Sequence, residues 1–456
     1  KICIQTSLYR SVSDERALHQ CVQKIAGAMW RVARGSLLLG KRGRACGSVS
    51  RSSKHLKSQP NQGPNVAAQM TRAGSEDSLP LSVWWKRQQE GLTSSLPDAA
   101  QIARLSAEIE EFAADLLPAP HHEDAKDAFL KDLQHHLADV IDGAAVYPFG
   151  SVVNGFWTPN SDVDICVRVP GAGTRNGQVA ALRKIMAELQ RVARYHVEPR
   201  FGAQVPILHW APQRSGMVAC DISVNNVLAV VNSRLVGEYV KIDERFRPLG
   251  LCLKAWAQAR GINDRSRGTV SSFALILMLV NFLQRRTPPV LPSLQDIAFG
   301  RAQDPQYVTG VDCRYCADES VIKQEMADLQ KGGPPNTESL GTLFLEFLRY
   351  YAHVYRGGVI RIRDTRSILP PMDETSCFMV VDNPFEVGKD VANIDESQRA
   401  IIKREFRRAW SLLSHGHTFR EILRNSAADD DAINRLKQGP SPATKSVRVA
   451  KEEPFF

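Results

Sequence analysis

The sequence predicts an α+β protein in which a small domain with a mixed sheet is joined to a larger, mostly helical one. Three observations predict it. Between residues 145 and 224, short runs of strand character (AVYPF, DICVRV, PILHWA, MVACDISV) surround one helical pattern, QVAALRKIMAELQRVA. After Asn226 almost every apolar segment is periodic at helical spacing or apolar throughout. The length, 456 residues, leaves room for more than one domain.

The N-terminal segment, residues 1–80, reads as separate from the fold. Residues 1–75 hold 13 Lys and Arg against Asp14 and Glu15, a local charge of +11, which leaves −2 for the other 381 residues. The basic isoelectric point therefore belongs to this segment and gives little support for a nucleic-acid-binding core. Its composition, with the run MWRVARGSLLLGKRGRACGS, is that of a mitochondrial targeting segment. A disordered basic arm that binds RNA is the competing reading.

Helical spacing begins at Pro97 and runs to about Leu117, with Asp98 placed as the N-cap. A second helix is expected from about Asp124 to Val140, then the strands. The sheet domain is assigned to residues 120–235. Residues 82–118 and 236–420 are assigned to the helical domain. Its helices are LAVVNSRLVGEYVKID, PLGLCLKAWAQARGI, VSSFALILMLVNFLQ and SLGTLFLEFLRYYAHVY, with short strands at VIRIR and CFMVV and a helix from Glu396 to Leu413. The longest apolar stretch, Ser271 to Leu283, is too short for a bilayer, which needs ~20 residues. It is expected as a buried helix, with no membrane association. The extension 421–456 is charged, carries a strand-like SVRVA at 446–450, and reads as a loose linker or as a segment packing across both domains. The nine cysteines show no disulfide framework, which suits a reducing compartment. Cys313 and Cys316 form a CxxC without a second pair at zinc spacing and are read as structural or incidental, with a zinc half-site as the lesser alternative.

The chemistry concentrates in YPFGSVVNGFWTPNSDVDICVRV, residues 147–169. In a strand, residues i and i+2 share a face, so Asp162 and Asp164 present two carboxylates side by side. Unpaired, they repel each other and suffer desolvation. A hard divalent cation such as Mg²⁺ removes that penalty and is commonly held by carboxylates plus substrate phosphates. Asp221, alone in the apolar run MVACDISV, supplies a third carboxylate for a two-metal site. Gly150 and Ser151 close a strand, where a bare backbone, a hydroxyl and a following helix N-terminus can hold phosphates. A capping turn at SDVD, with Asp221 as an edge residue, is the bland alternative. The conjunction of all three features argues against it.

FGS followed by DVD and a later strand Asp is similar to the DNA polymerase β-like nucleotidyltransferase superfamily. Downstream, CDISVNNVLAVVNSRLV, LCLKAWAQARGI, GTVSSFALILMLVNFL, SLGTLFLEFLRYYAHVY and NPFEVGKDVAN resemble the poly(A) polymerase/terminal uridylyltransferase family, in consistent order from Tyr147 to Leu413. The resemblance implies a polymerase β-like catalytic domain, a larger helical domain and an active site in the cleft between them. It implies two Mg²⁺ (or Mn²⁺) ions, bridged by Asp162 and Asp164, with Asp221 on the ion that activates an RNA 3′-hydroxyl. It places Asn232 and Ser233 against ribose and phosphates, and Lys254 and Ser272 against the triphosphate. Phe273 is expected to stack on the base, against the alternative that it is ordinary core. Gln258 stands where the family often has a second Lys, and Arg260, on another face, does not replace it.

Poly(A) and poly(U) enzymes share these features, so the base must be chosen elsewhere. The resemblance gives that role to VVDNPFEVGKD. Glu386 can accept from uracil N3–H, and Lys389 can only donate, which suits uracil O4 and opposes an adenine amino group. Asn383 departs from the usual Asp, so one of two acids is missing. Asp382 would point elsewhere. The reading is UTP as donor and an RNA 3′ end as acceptor, with ATP as the alternative. The short stretch between Asp164 and Asp221 and the basic N-terminus resemble the compact mitochondrial uridylyltransferases of kinetoplastids, particularly one associated with an editosome-like complex. Other subunits of a mitochondrial RNA-processing complex are expected as partners. A non-catalytic scaffold has no physical reason to keep the acid cluster.

Overall fold

The computed structural model describes residues 97–138, 140–159, 161–191, 195–212, 219–330, 333–363 and 379–424. The expected targeting segment and all but the first residues of the C-terminal extension, SVRVA included, lie outside these.

Helix α1 (Ala99–Asp115) starts where the sequence places it, with Asp98 Oδ1 accepting from the Gln101 N–H at 2.7 Å. Helix α2 (Pro120–Ala138) leads into a five-stranded sheet built from β1 (Ala145–Phe149), β2 (Val163–Arg168), β3 (Tyr195–Arg200), β4 (Ile207–Pro212) and β5 (Cys220–Val224). The strand order is β1-β2-β5-β4-β3. Only β2 and β5 are parallel, so the sheet is mixed. A short helix α3 (Ser151–Asn154) follows β1, and α4 (Arg175–Arg191) is the crossover after β2. Strand β3, YHVEPR, was not expected. Polar residues alternate with Val197 and Pro199 there, and no apolar run marks the strand.

The two faces of the sheet differ in chemistry. Val163, Ile165, Val167, Leu208, Trp210, Cys220, Ile222 and Val224 point into one core with Leu133 and Leu137 of α2 and Leu182, Ile185 and Leu189 of α4. Period-2 alternation then puts Asp162, Asp164, His209 and Asp221 on the opposite face. On that side α5 (Val227–Ile242) packs against α3 and β1.

The remaining helices are α6 (Phe246–Ala259), α7 (Ser272–Gln284), α8 (Leu294–Gly300), α9 (Glu319–Leu329), α10 (Leu340–Arg349), α11 (Glu396–Ser414) and α12 (Phe419–Leu423). Every residue of α7 from Ala274 onward is buried, as its unbroken apolar sequence requires. Tyr350–Val354 continue α10 as a π turn, with Phe347, Tyr351 and Phe406 packed edge-on or tilted around it. Helix α1 lies against α10 and α6 although it precedes the sheet in sequence. Strand β8 (Val359–Ile360) is shorter than VIRIR suggests, and β9 (Val380–Val381) lies in the described part of CFMVV. Strands β6 (Tyr307–Val308) and β7 (Val311–Asp312) make an antiparallel hairpin. Cys313 and Cys316 are buried, neither forms a disulfide among the described residues, and no metal-holding group among those residues includes either. No helix among the described residues is long and apolar enough to cross a membrane.

Candidate active site

The strand register assembles the acid cluster. Asp164 on β2 is directly opposite Asp221 on parallel β5, and Asp221 is directly opposite His209 on antiparallel β4. Ligand atoms of Asp162, His209 and Asp221 all lie within 4.8 Å of one another. His209 Nδ1 is 2.6 Å from Asp221 Oδ1. Burial, then the charge of Asp221, then that of Asp162 push the Asp164 carboxyl up to about 7. Asp162 is raised by burial and by Asp221. A hard cation fits this site: the donors are carboxylates, and burial first and mutual repulsion second raise the pKa values of Asp164 and Asp162, costs that a bound cation would offset. His209 was not singled out from the sequence. PILHWA reads as an ordinary apolar strand, and only the register with Asp221 gives its imidazole a place.

Gly150 sits over the cluster. Its φ is +66°, and a Cβ built there would stand inside the Asp164 carboxylate. Its N–H donates to Ser233 Oγ at 2.8 Å, and Ser233 Oγ donates to the Ala229 carbonyl at 2.8 Å. Ser233 thus ties α5 to the turn that opens α3, where Ser151 begins the helix. In this state the hydroxyl serves the turn rather than a phosphate. The neighbouring Asn232 is buried, and its Oδ1 has no hydrogen-bond partner among the described residues. A buried acceptor left open is expensive, and a ribose hydroxyl would satisfy it.

Lys254 on α6 is buried, as its apolar helix predicts, and donates to the Phe156 carbonyl at 2.9 Å. Burial lowers its pKa to about 8, opposed by the charge of Asp164. That coupling places the ammonium beside the carboxylates. Gln258, one turn on, is exposed. Arg260 is held by buried Glu405 at 2.8 Å, so it is not available to replace a second Lys. Ser271 caps α7, accepting from the Ala274 N–H. Ser272 donates to Asn263 Oδ1 at 2.8 Å. Phe273 is half-buried while the helix beyond it is wholly buried, so it is the partly exposed end of the apolar run.

The expected base-reading residues come together as one loop. Asn383 Oδ1 accepts from the N–H groups of Phe385 and Glu386, which turns its Nδ2 towards Glu386 Oε2 at 3.3 Å. Lys389 Nζ reaches the same oxygen at 2.7 Å. Asn383 therefore shapes the turn and donates to Glu386. Asp382 does point elsewhere: it is buried between Arg361 and Arg363 and accepts from the Gly388 N–H. Ser271 Oγ donates to the Val391 carbonyl at 3.1 Å, docking this loop beside Ser272 and Phe273.

Comparisons with known proteins agree with this arrangement. Residues 105–241 match the family model described as poly(A) RNA polymerase, mitochondrial-like, central palm domain. Terminal uridylyltransferase 4 of Homo sapiens is 34% identical over 268 residues, 57% of this chain and 16% of that protein. Poly(A) RNA polymerase cid11 of Schizosaccharomyces pombe is 30% identical over 338 residues, 71% of this chain and 65% of that one. Among solved structures, the Cid1 poly(U) polymerase superposes with a TM-score of 0.60 at 26% identity, covering 70% of this chain and 98% of that chain. A cytoplasmic RNA terminal U-transferase gives the same TM-score and identity over 72% of this chain and 98% of that chain. The chain spans less than two thirds of the length of the full-length relatives, and only 16% of the terminal uridylyltransferase.

Proposed function

We propose that this chain, with its polymerase β-like nucleotidyltransferase fold, belongs to the poly(A) polymerase/terminal uridylyltransferase family, adds UMP from UTP to RNA 3′ ends and releases pyrophosphate. The observation that carries the nucleotidyl-transfer reading is the cluster of Asp162, Asp164 and Asp221 on one face of the sheet, with Gly150 packed against it. Two Mg²⁺ or Mn²⁺ ions held there would neutralise charge on the attacking and leaving oxygens of an in-line displacement.

The chain's own residues do the positioning. The turn at Gly150 and Ser151 brings backbone close to the triphosphate, because no side chain intervenes. Lys254 adds positive charge from its buried position. Asn232 offers its open Oδ1 to a ribose hydroxyl, favouring ribonucleotides. Phe273 provides a face for the base. Glu386 accepts from the uracil N3–H, and Lys389 donates to O4, each leaving the other's side to reach the base. An adenine amino group would meet only donors at Lys389.

Several features support UTP over ATP and a mitochondrial setting. The terminal uridylyltransferase and the poly(U) polymerase are among the proteins this chain resembles, beside poly(A) RNA polymerases, so the choice of UTP rests on the chemistry of Glu386 and Lys389. The chain between Asp164 and Asp221 carries only the rest of β2, α4, β3 and β4 as described elements, which is in keeping with the resemblance to compact kinetoplastid mitochondrial uridylyltransferases. The basic segment 1–80 has the composition of a targeting sequence. Other subunits of an RNA-processing complex would supply RNA affinity that a core of net charge −2 lacks.

Primer extension tests this. A 5′-labelled RNA is incubated with Mg²⁺ and each nucleoside triphosphate separately, beside Asp162→Ala. Extension with UTP, lost in the variant, supports the proposal. Extension mainly with ATP overturns the base assignment and keeps the catalytic one. No extension with any nucleotide overturns the enzyme reading of the isolated chain.

A further inference from the structure

We infer that His209 is a positioning residue for Asp221, holding one carboxylate oxygen so that the other is presented to the cation. This rests on the nucleotidyl-transfer reading above and adds to it a residue from a neighbouring strand. The geometry is local and specific. His209 and Asp221 are directly paired across β4 and β5, where opposed side chains on one face stand ~4.5–5.5 Å apart at Cβ. The imidazole Nδ1 meets Asp221 Oδ1 at 2.6 Å, a short hydrogen bond. Both side chains are largely shielded, at 19% and 26% exposure, so water competes poorly for that bond.

Residue type matters here. A neutral imidazole donates from Nδ1 without a permanent positive charge. A Lys or Arg at this position would also hold Asp221 but would compete electrostatically with the cation. Carboxylates that ligate metals are commonly fixed by such second hydrogen bonds, and losing one typically lowers metal affinity ~10–100-fold. Asp162 has no comparable anchor among the described hydrogen bonds and is the exposed member of the cluster. The inference therefore assigns orientation of the cluster to the β4–β5 pair.

The test is a Mn²⁺ titration of the full chain followed by electron paramagnetic resonance, without nucleotide or RNA. Wild type is compared with His209→Ala, His209→Asn, His209→Gln and Asp164→Ala. His209→Ala is expected to weaken Mn²⁺ binding ~10–100-fold. His209→Asn, whose amide can donate from the place of ring Nδ1, is expected to recover most of it, and His209→Gln is not. Thermal melts show that the variants fold. Unchanged affinity in His209→Ala, or equal behaviour of the Asn and Gln variants, overturns the inference. So does nitrogen modulation from an imidazole in the spin-echo signal of bound Mn²⁺, which would make His209 a ligand instead. Wild-type binding that is no stronger than in Asp164→Ala overturns the metal-site reading itself, and this inference with it.

Discussion

Gly150 has no side chain, and the space this leaves is taken by the carboxylate of Asp164. Gly150→Ala is therefore expected to displace Asp164 and lower kcat ~100-fold or more, since small misplacements of reacting groups have effects of that size. Circular dichroism should show the fold retained. Lys254→Met removes a buried charge that a triphosphate would partner. A charged hydrogen bond contributes about 1.5–3 kcal/mol, so KM for UTP should rise by about 10–100-fold. The pH dependence of stability follows from Asp164. Its carboxyl titrates at about 7 in the fold against an ordinary 3.8. The folded state thus holds the proton longer than the unfolded chain. Its contribution is complete below 3.8 and is lost as pH rises towards about 7. Above that pH the cluster is charged and self-repelling, so Mg²⁺ should raise Tm more at pH 8 than at pH 6. Differential scanning fluorimetry with and without Mg²⁺ checks this.

At the scale of elements, the loop of Asn383, Glu386 and Lys389 works only because other elements hold it. Ser271 links it to the start of α7, Gln295 of α8 donates to the Pro384 carbonyl, and Asp382 is clamped by Arg361 and Arg363. Ser271→Ala removes both a cap and a docking bond. Loss of the cap alone should lower stability by ~1 kcal/mol, and the freed loop should raise KM for UTP. Asn383→Asp keeps an acceptor for the Phe385 and Glu386 N–H groups but replaces a donor to Glu386 with a repelling oxygen. Glu386 should then shift, and the UTP-to-ATP preference measured by extension should change. The elements themselves were legible to different degrees. AVYPF became β1 residue for residue, and Asp98 capped α1. YHVEPR was missed because a strand with polar residues on one face lacks the apolar run that announces its neighbours. The role of Asn383 was missed because an amide's orientation is set by the turn around it, and the turn is made by two backbone donors.

For the whole molecule, charge and topology set different things. A net charge of −2 outside residues 1–75 gives the core few means of gripping RNA. Binding through about two or three phosphates should fall ~tenfold between 50 and 200 mM salt. Filter binding by a chain lacking residues 1–75 would check this, and tight, salt-independent binding would contradict it. The sequence by itself determined the chemistry. Three carboxylates at strand spacing, a glycine before a short helix, a lysine in an apolar helix and a half-apolar helix start at Ser272 and Phe273 are local patterns, and local patterns survive translation into structure because backbone periodicity is local. Only the tertiary structure decided which side chains share the site and which are already engaged. Asp221 and His209 meet through the register of β4 with β5, and Asp164 meets Asp221 through β2 with β5. Ser233 is held by the Gly150 turn and Lys389 by Glu386. Strand register and loop docking are fixed by burial of the opposite face and by contacts between residues far apart in the chain. No window of sequence contains them.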